Sequence, residues 1–171
     1  NILHLPTMKT DAAALFSGAM QNAFGGLLDE NRKQTRANFH DTLVDLLQVQ
    51  QDIHTGIFGV MDGTFAGEGP GPRTMRPYVK NTILASSDLV ALDAVAARIM
   101  GVDPMRVRYI RHAHERGLGV GDPREIEILG DARVAQENWQ MEHDSNTLLS
   151  WSRKQMEDGS LAPLQAQVTQ S

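Results

Sequence analysis

Ile57-Phe58-Gly59-Val60-Met61-Asp62-Gly63-Thr64-Phe65-Ala66-Gly67-Glu68-Gly69-Pro70-Gly71-Pro72 is the stretch that decides the fold. Its first five residues form a short apolar run, the pattern of a buried strand. The carboxylate of Asp62 follows the run, and a glycine- and proline-rich segment follows the carboxylate. Strand, acidic edge and flexible loop, in that order, are a common way for an α/β sheet to meet a ligand. Glycine lets backbone approach that ligand closely, and proline limits how far the loop wanders. A second strand is expected around Tyr78 to Ala85.

Upstream, Ile2-Leu3-His4-Leu5 reads as a strand, turned by Pro6 and Thr7. Asp11 suits a helix N-cap, and Ala12, Leu15, Phe16, Ala19, Met20 and Ala23 recur at helical spacing until Gly25-Gly26. The charged stretch Asp29 to Arg36 lacks an apolar period and reads as an exposed loop. A second helix carries the stripe Phe39, Leu43, Leu46, Leu47 and Ile53. Downstream, Ser86-Ser87-Asp88 cap a third helix with Leu89, Leu92, Val95, Ala96 and Ile99 inward, and Gly101 fits the left-handed position past its end. Asp103-Pro104 restarts a fourth helix, ended by Gly117, and Ile126, Ile128 and Leu129 form a short strand. From Ala132 the texture changes: Trp139, Met141, Leu148, Leu149, Trp151 and Met156 are spread through polar helical sequence, and Gln165 to Ser171 read as a frayed end. The expectation is an α/β domain over 1–131, its mostly buried sheet carrying helices on its faces. A helical extension over 132–171 packs outside it.

Bulk properties narrow the function. A hydrophobic fraction of 41% with 22% charged residues fits a soluble globular protein, and 171 residues suffice for one real core. A net charge of −5 argues against broad nucleic-acid binding. The chain has no cysteine, so it can form no disulfide, thiolate metal site or cysteine-held iron–sulfur cluster. No apolar run approaches the roughly 20 residues that span a bilayer, no leader is seen, and a cytoplasmic location is the default. Asn1 opens almost directly into a strand, which predicts an upstream segment.

Five motifs then occur in order. They are Leu5-Pro6-Thr7-Met8-Lys9-Thr10, Gln21-Asn22-Ala23-Phe24-Gly25, Asp62-Gly63 with Gly67-Glu68-Gly69-Pro70, Ala85-Ser86-Ser87-Asp88-Leu89-Val90-Ala91-Leu92-Asp93, and Gly117-Leu118-Gly119. Together they resemble the family called domain of unknown function 362 over about residues 2 to 131, the later part of that family's domain. The resemblance implies an association with ferredoxin-like iron–sulfur modules, although this chain carries none. Three ionisable positions depart from the family pattern. Asp11 stands where the family has histidine, Gln21 where it has lysine, and Ala66 where it has glutamate, with Glu68 two residues away. These departures suit a chain that binds a ligand without turning it over.

Each candidate site has two readings. Asp62 can ligate a divalent cation or orient a hydroxyl, with the amides of Gly67 to Gly71 holding an anion; equally, Asp62 can bond its own loop backbone. Lys9-Thr10 suits a phosphate or carboxylate at a helix N-terminus, but Asp11 as N-cap would occupy those donors. Asp93 lies mid-helix among apolar residues; it lines a site, faces solvent, or pairs with Arg98 or Arg106. Asp88 reads as a cap and His40 as a core histidine. His112 and His114 point to different helix faces, so no zinc site is expected. Arg106, Arg108, Arg111, His112 and Arg116 make the fourth helix basic, which reads as a solvated face. Gly117-Leu118-Gly119-Val120-Gly121 follows a helix, the wrong context for a dinucleotide fingerprint.

Two functions follow. In the first, Lys9, Thr10, Asn22, Asp62, Gly67, Glu68, Gly69 and Asp93 hold a small anionic ligand, with a divalent cation as the fitting cofactor. In the second, the chain is a non-enzymatic redox-accessory or interaction module. Its partner is then an iron–sulfur protein docked through the basic helix or the tail tryptophans, while a sheet edge left open by a missing upstream segment would favour pairing with a second copy. Convergence of Lys9, Asn22 and Asp62 on one pocket would favour the first; their separation would favour the second.

Overall fold

The apolar run that begins at Ile57 does not stop at Met61. In the computed structural model, which describes residues 1–28, 35, 37–69, 75–144, 146 and 147, it continues to Glu68 as the longest of five strands. These are β1 (Ile2–His4), β2 (Thr7–Asp11), β3 (Leu15–Ser17), β4 (Ile57–Glu68) and β5 (Arg76–Ser86). Asp62 to Glu68, expected as loop, is therefore strand. Gly63, Ala66 and Gly67 are poor strand formers by themselves, and pairing on both sides of β4 overrides that preference. The connection to β5 includes Pro70, Gly71 and Pro72, which lie outside the described residues, as do Asp29 to Arg36 apart from Thr35 and everything from Leu148 onward.

β1 and β2 both run parallel to β4, meeting it at Ile57 to Gly59 and then at Asp62 and Gly67. Pro6 divides them because it cannot donate to a ladder, but its carbonyl accepts the Asp62 N–H at 2.8 Å. β5 lies antiparallel along the other edge of β4, from Gly59 opposite Ser86 to Glu68 opposite Arg76. β3 pairs antiparallel with β2. The sheet thus reads β3, then β2 in line with β1, then β4, then β5. It is mixed, with β4 at its centre.

Five α-helices complete the described fold: α1 (Ala19–Leu27), α2 (Phe39–Ile53), α3 (Leu89–Met100), α4 (Arg108–Glu115) and α5 (Ala132–Gln136). Three of them touch one face of the sheet, here called inner. α1 brings Ala19 and α3 brings Leu89 and Leu92 against Gly59, where an added Cβ would lie 2.6 Å from a Leu92 methyl. α2 reaches β1 through a buried bond from His4 Nε2 to Gln50 Oε1 at 2.6 Å. α4 and α5 pack against the other helices. α3 is buried almost all round, capped by Asp88 at its start and by Gly101 at φ 99° at its end.

Several expectations need correction. The first helix starts at Ala19, not after Asp11: Ala12 to Ala14 form a turn and Leu15 to Ser17 a strand, with Leu15 at φ 67°. Ile53, expected in the buried stripe, is exposed at the end of α2. Pro104 opens a 3₁₀ turn that closes at Arg106, and extended Val107 separates it from α4. Ile126 and Ile128 pack on the core without forming a strand, since no neighbouring edge pairs with them. The α/β class stands, but the sheet is not mostly buried: among the described residues the helices cover its inner face alone.

Candidate functional site

Alternation along the strands sorts the sheet residues onto two faces. Met8, Thr10, Met61, Gly63, Ala66 and Thr82 are buried on the inner face. Between Gly63 and Phe65 the register with β5 shifts, Asn81 takes φ 50°, and the phase of β4 changes at Thr64. As a result the outer face carries cross-strand rows that begin with Leu3 beside Phe58 and Val60 beside Ala85. Thr7, Asp62 and Ile83 follow, then Phe65 beside Val79, then Lys9, Gly67 and Pro77.

Asp62 therefore sits mid-sheet, exposed, on the central strand. Its Oδ1 accepts the Thr64 N–H at 2.8 Å, and the Thr64 N–H and hydroxyl hold its carboxyl below the usual range. Lys9 shares this face, its Cβ beside Gly67. Asn22 is exposed on α1, in the helical layer beyond the inner face. The sheet separates it from Lys9 and Asp62, and the three do not meet in one pocket.

The other candidates have their polar atoms engaged within the fold. Buried Thr10 donates its hydroxyl to the Gly69 carbonyl at 2.9 Å and accepts the Gly69 N–H at 2.8 Å, clamping the start of the glycine segment to β2. Glu68 accepts from the Tyr78 hydroxyl at 3.0 Å and from the Glu142 N–H at 2.8 Å, with Arg76 at 3.7 Å. No helix begins at Lys9-Thr10; Asp11 instead accepts the N–H groups of Ala13 and Ala14 in the turn between β2 and β3. Among the described residues no three acidic or histidine side chains gather as metal ligands.

Asp93 is fully buried and takes a role that its sequence position does not suggest. Its two oxygens accept the N–H groups of Ala19 at 2.6 Å and Met20 at 3.1 Å, the first turn of α1. Gly18, the residue before α1, offers no cap of its own, and an added Cβ there would lie 2.3 Å from Asp93 Oδ1. The Tyr109 hydroxyl lies 3.3 Å from the Phe16 carbonyl and 3.5 Å from Asp93. Burial pushes the Asp93 carboxyl up to about 7, against the downward pull of the two amides. Tyr109 was missed in the sequence, since an aromatic at helical spacing signals core and nothing more. His40 stacks on its ring at 6.0 Å, and burial lowers the pKa of that histidine.

Most of the basic helix is paired internally. Arg108 and His112 both meet Asp41, at 2.8 and 3.0 Å, and Arg116 meets Asp45 at 2.8 Å. Trp139 packs on the core and donates its backbone N–H to Ile99, with Lys80 4.9 Å over its ring; Trp151 lies outside the described residues. Among the described residues, the outer face gathers five exposed large apolar residues, Leu3, Phe58, Phe65, Val79 and Ile83, at 57, 43, 57, 63 and 67%. The sequence held a signal for it. In β5, Tyr78 and Leu84 point inward while Val79 and Ile83 point outward, so the strand is apolar on both sides.

Among the described residues no helix is long and apolar enough to cross a membrane. No curated protein and no solved structure matches the chain. A protein-family model does match, over residues 1–98. That segment holds the whole sheet and α1 and α2, and it stops inside α3, short of the Gly117-Leu118-Gly119 motif. The chain belongs to the family described as Domain of unknown function (DUF362).

Proposed function

We propose that this domain is a non-enzymatic interaction module whose working surface is the outer face of its sheet. One observation carries the reading: five large apolar side chains stand in solvent on a single face, while helices cover the opposite one. Contiguous exposed apolar surface of this kind marks docking sites, whereas scattered apolar residues do not. The distribution of polar groups supports it as well. Thr10, Glu68, Gly69 and Asp93 bond within the fold, and Asn22 lies across the sheet from Lys9 and Asp62. The redox form of this reading, with an iron–sulfur partner, rests on the family resemblance alone.

A photo-cross-linking residue at Val79 tests the proposal in the intact host, with the same residue at exposed Asp52 on α2 as control. The expected result is a discrete adduct at Val79, absent at Asp52, identified by mass spectrometry. The same adducts at both positions, or none at Val79, would sink it.

A second reading, a small anionic ligand at the glycine segment, is favoured by the pairing of Lys9 with Gly67, which sets the lysine stem beside that segment. Thermal shift against phosphates, carboxylates and divalent cations, with Asp62→Ala alongside, reads it directly. Saturation at 100 times Kd would stabilise the chain by about 2.7 kcal/mol.

A further inference from the structure

The outer face is self-complementary, and this feature names its partner. Along β2 and β4 it presents Asp62 on one side of Phe65 and, by the pairing of Lys9 with Gly67, a lysine on the other. In an isologous contact residue i meets residue j and j meets i. A two-fold axis through Phe65 would therefore bring Asp62 of each copy onto Lys9 of the other, with the two phenyl rings at the centre. We propose that two copies of this chain pair outer face to outer face in that arrangement. The proposal rests on the docking reading above and makes it specific.

Area and edge geometry both favour this pairing. The five large residues, each 43 to 67% exposed, leave on the order of 500–600 Å² in solvent, the upper end of a typical monomer's largest patch. The alternative route, strand addition at the outer edge of β5, is blunted. Pro77 has no N–H to donate, and Asn81 at φ 50° breaks the run of the strand where the register with β4 shifts. Two sheets packed face to face instead bury side chains and require no backbone pairing. The chain's net charge of −5 opposes association, but the acid and base on this face cancel where the copies would meet.

Sedimentation velocity of the full chain, from nanomolar to high micromolar concentration, provides the test. The wild type is expected to dimerise reversibly. Asp62→Lys and Lys9→Asp should each weaken the dimer by ~10-fold or more, because each sets like charges opposite one another, and the double exchange should restore it. Phe65→Ser should abolish pairing, with a melting temperature unchanged at concentrations where the wild type is monomeric. A wild type that stays monomeric overturns the pairing; if Val79 still cross-links a different protein, the docking reading stands without it. A dimer indifferent to both charge reversals, or one that the double exchange fails to restore, also overturns it. A dimer that survives Phe65→Ser removes the outer face as its seat.

Discussion

β4 has two faces, and they use opposite strategies. Its inner side is built from Gly59, Met61, Gly63 and Ala66, mostly small residues that let α1, α3 and Met8 come close. Its outer side carries Phe58, Val60, Asp62 and Phe65. Small residues predominate on the covered side, beside Ile57 and Met61, and the two phenylalanines stand on the uncovered one. A strand that only needed to present one face to water would place polar residues there. The comparison shows that the inner face is fitted for packing within the chain, and that the outer face has the composition of a packing surface without, among the described residues, the layer that would fill it.

Substitutions on the two faces should therefore behave differently, and the largest effect belongs inside. Gly18→Ala drives a methyl into the Asp93 carboxylate and the Phe16 ring, and about 3 kcal/mol of stability should be lost in denaturant titration. A loss under ~0.5 kcal/mol would mean the α1 anchor is loose.

Asp93→Asn probes the same anchor through pH. The folded carboxyl titrates near 7, above its ordinary 3.8, so the folded state holds the proton more tightly than the unfolded chain does. Its contribution is fully present below about pH 4 and is lost as pH rises through about 7, on the order of 1 kcal/mol per unit. The advantage of wild type over Asp93→Asn should shrink across that window in melting temperatures. An advantage that grows with pH would show that the two amides dominate over burial.

Thr10→Val keeps the shape but leaves the buried Gly69 N–H and carbonyl without their partner. About 1–3 kcal/mol should be lost, with faster amide exchange concentrated at Gly69. The smallest effect is expected outside: Ile83→Thr or Val79→Thr should change monomer stability by less than ~0.5 kcal/mol. A large loss there would show that part of this chain covers the outer face, and the contrast between the faces would collapse.

Local signals were legible in the sequence. Asp88 caps α3, Gly101 takes the left-handed conformation, and β5 falls close to its expected span, each because neighbouring residues determine the outcome. The failures are non-local. Asp11 resembles a helix cap, but pairing of β2 with β4 draws its segment into the sheet, and a left-handed Leu15 is nothing that leucine advertises. Gly63 to Gly67 looked like a loop because strand preference depends on what lies beside the strand. Of the candidate site, Lys9 and Asp62 do share a face, but the place of Asn22 depended on which side the helices chose.

The Asp93 carboxylate accepts from residues 73 and 74 positions earlier in the chain, and this bears on how the protein comes into being. α1 is nine residues long, with no acidic residue in its first turn and no cap of its own, too short to persist alone. During synthesis it emerges well before the residue that closes its N-terminus. α2 offers α1 packing as soon as it emerges, Phe39 meeting Phe24. The ribosome must still deliver the chain through α3 before the first turn of α1 gains its acceptor, so that turn is expected to be among the last to settle.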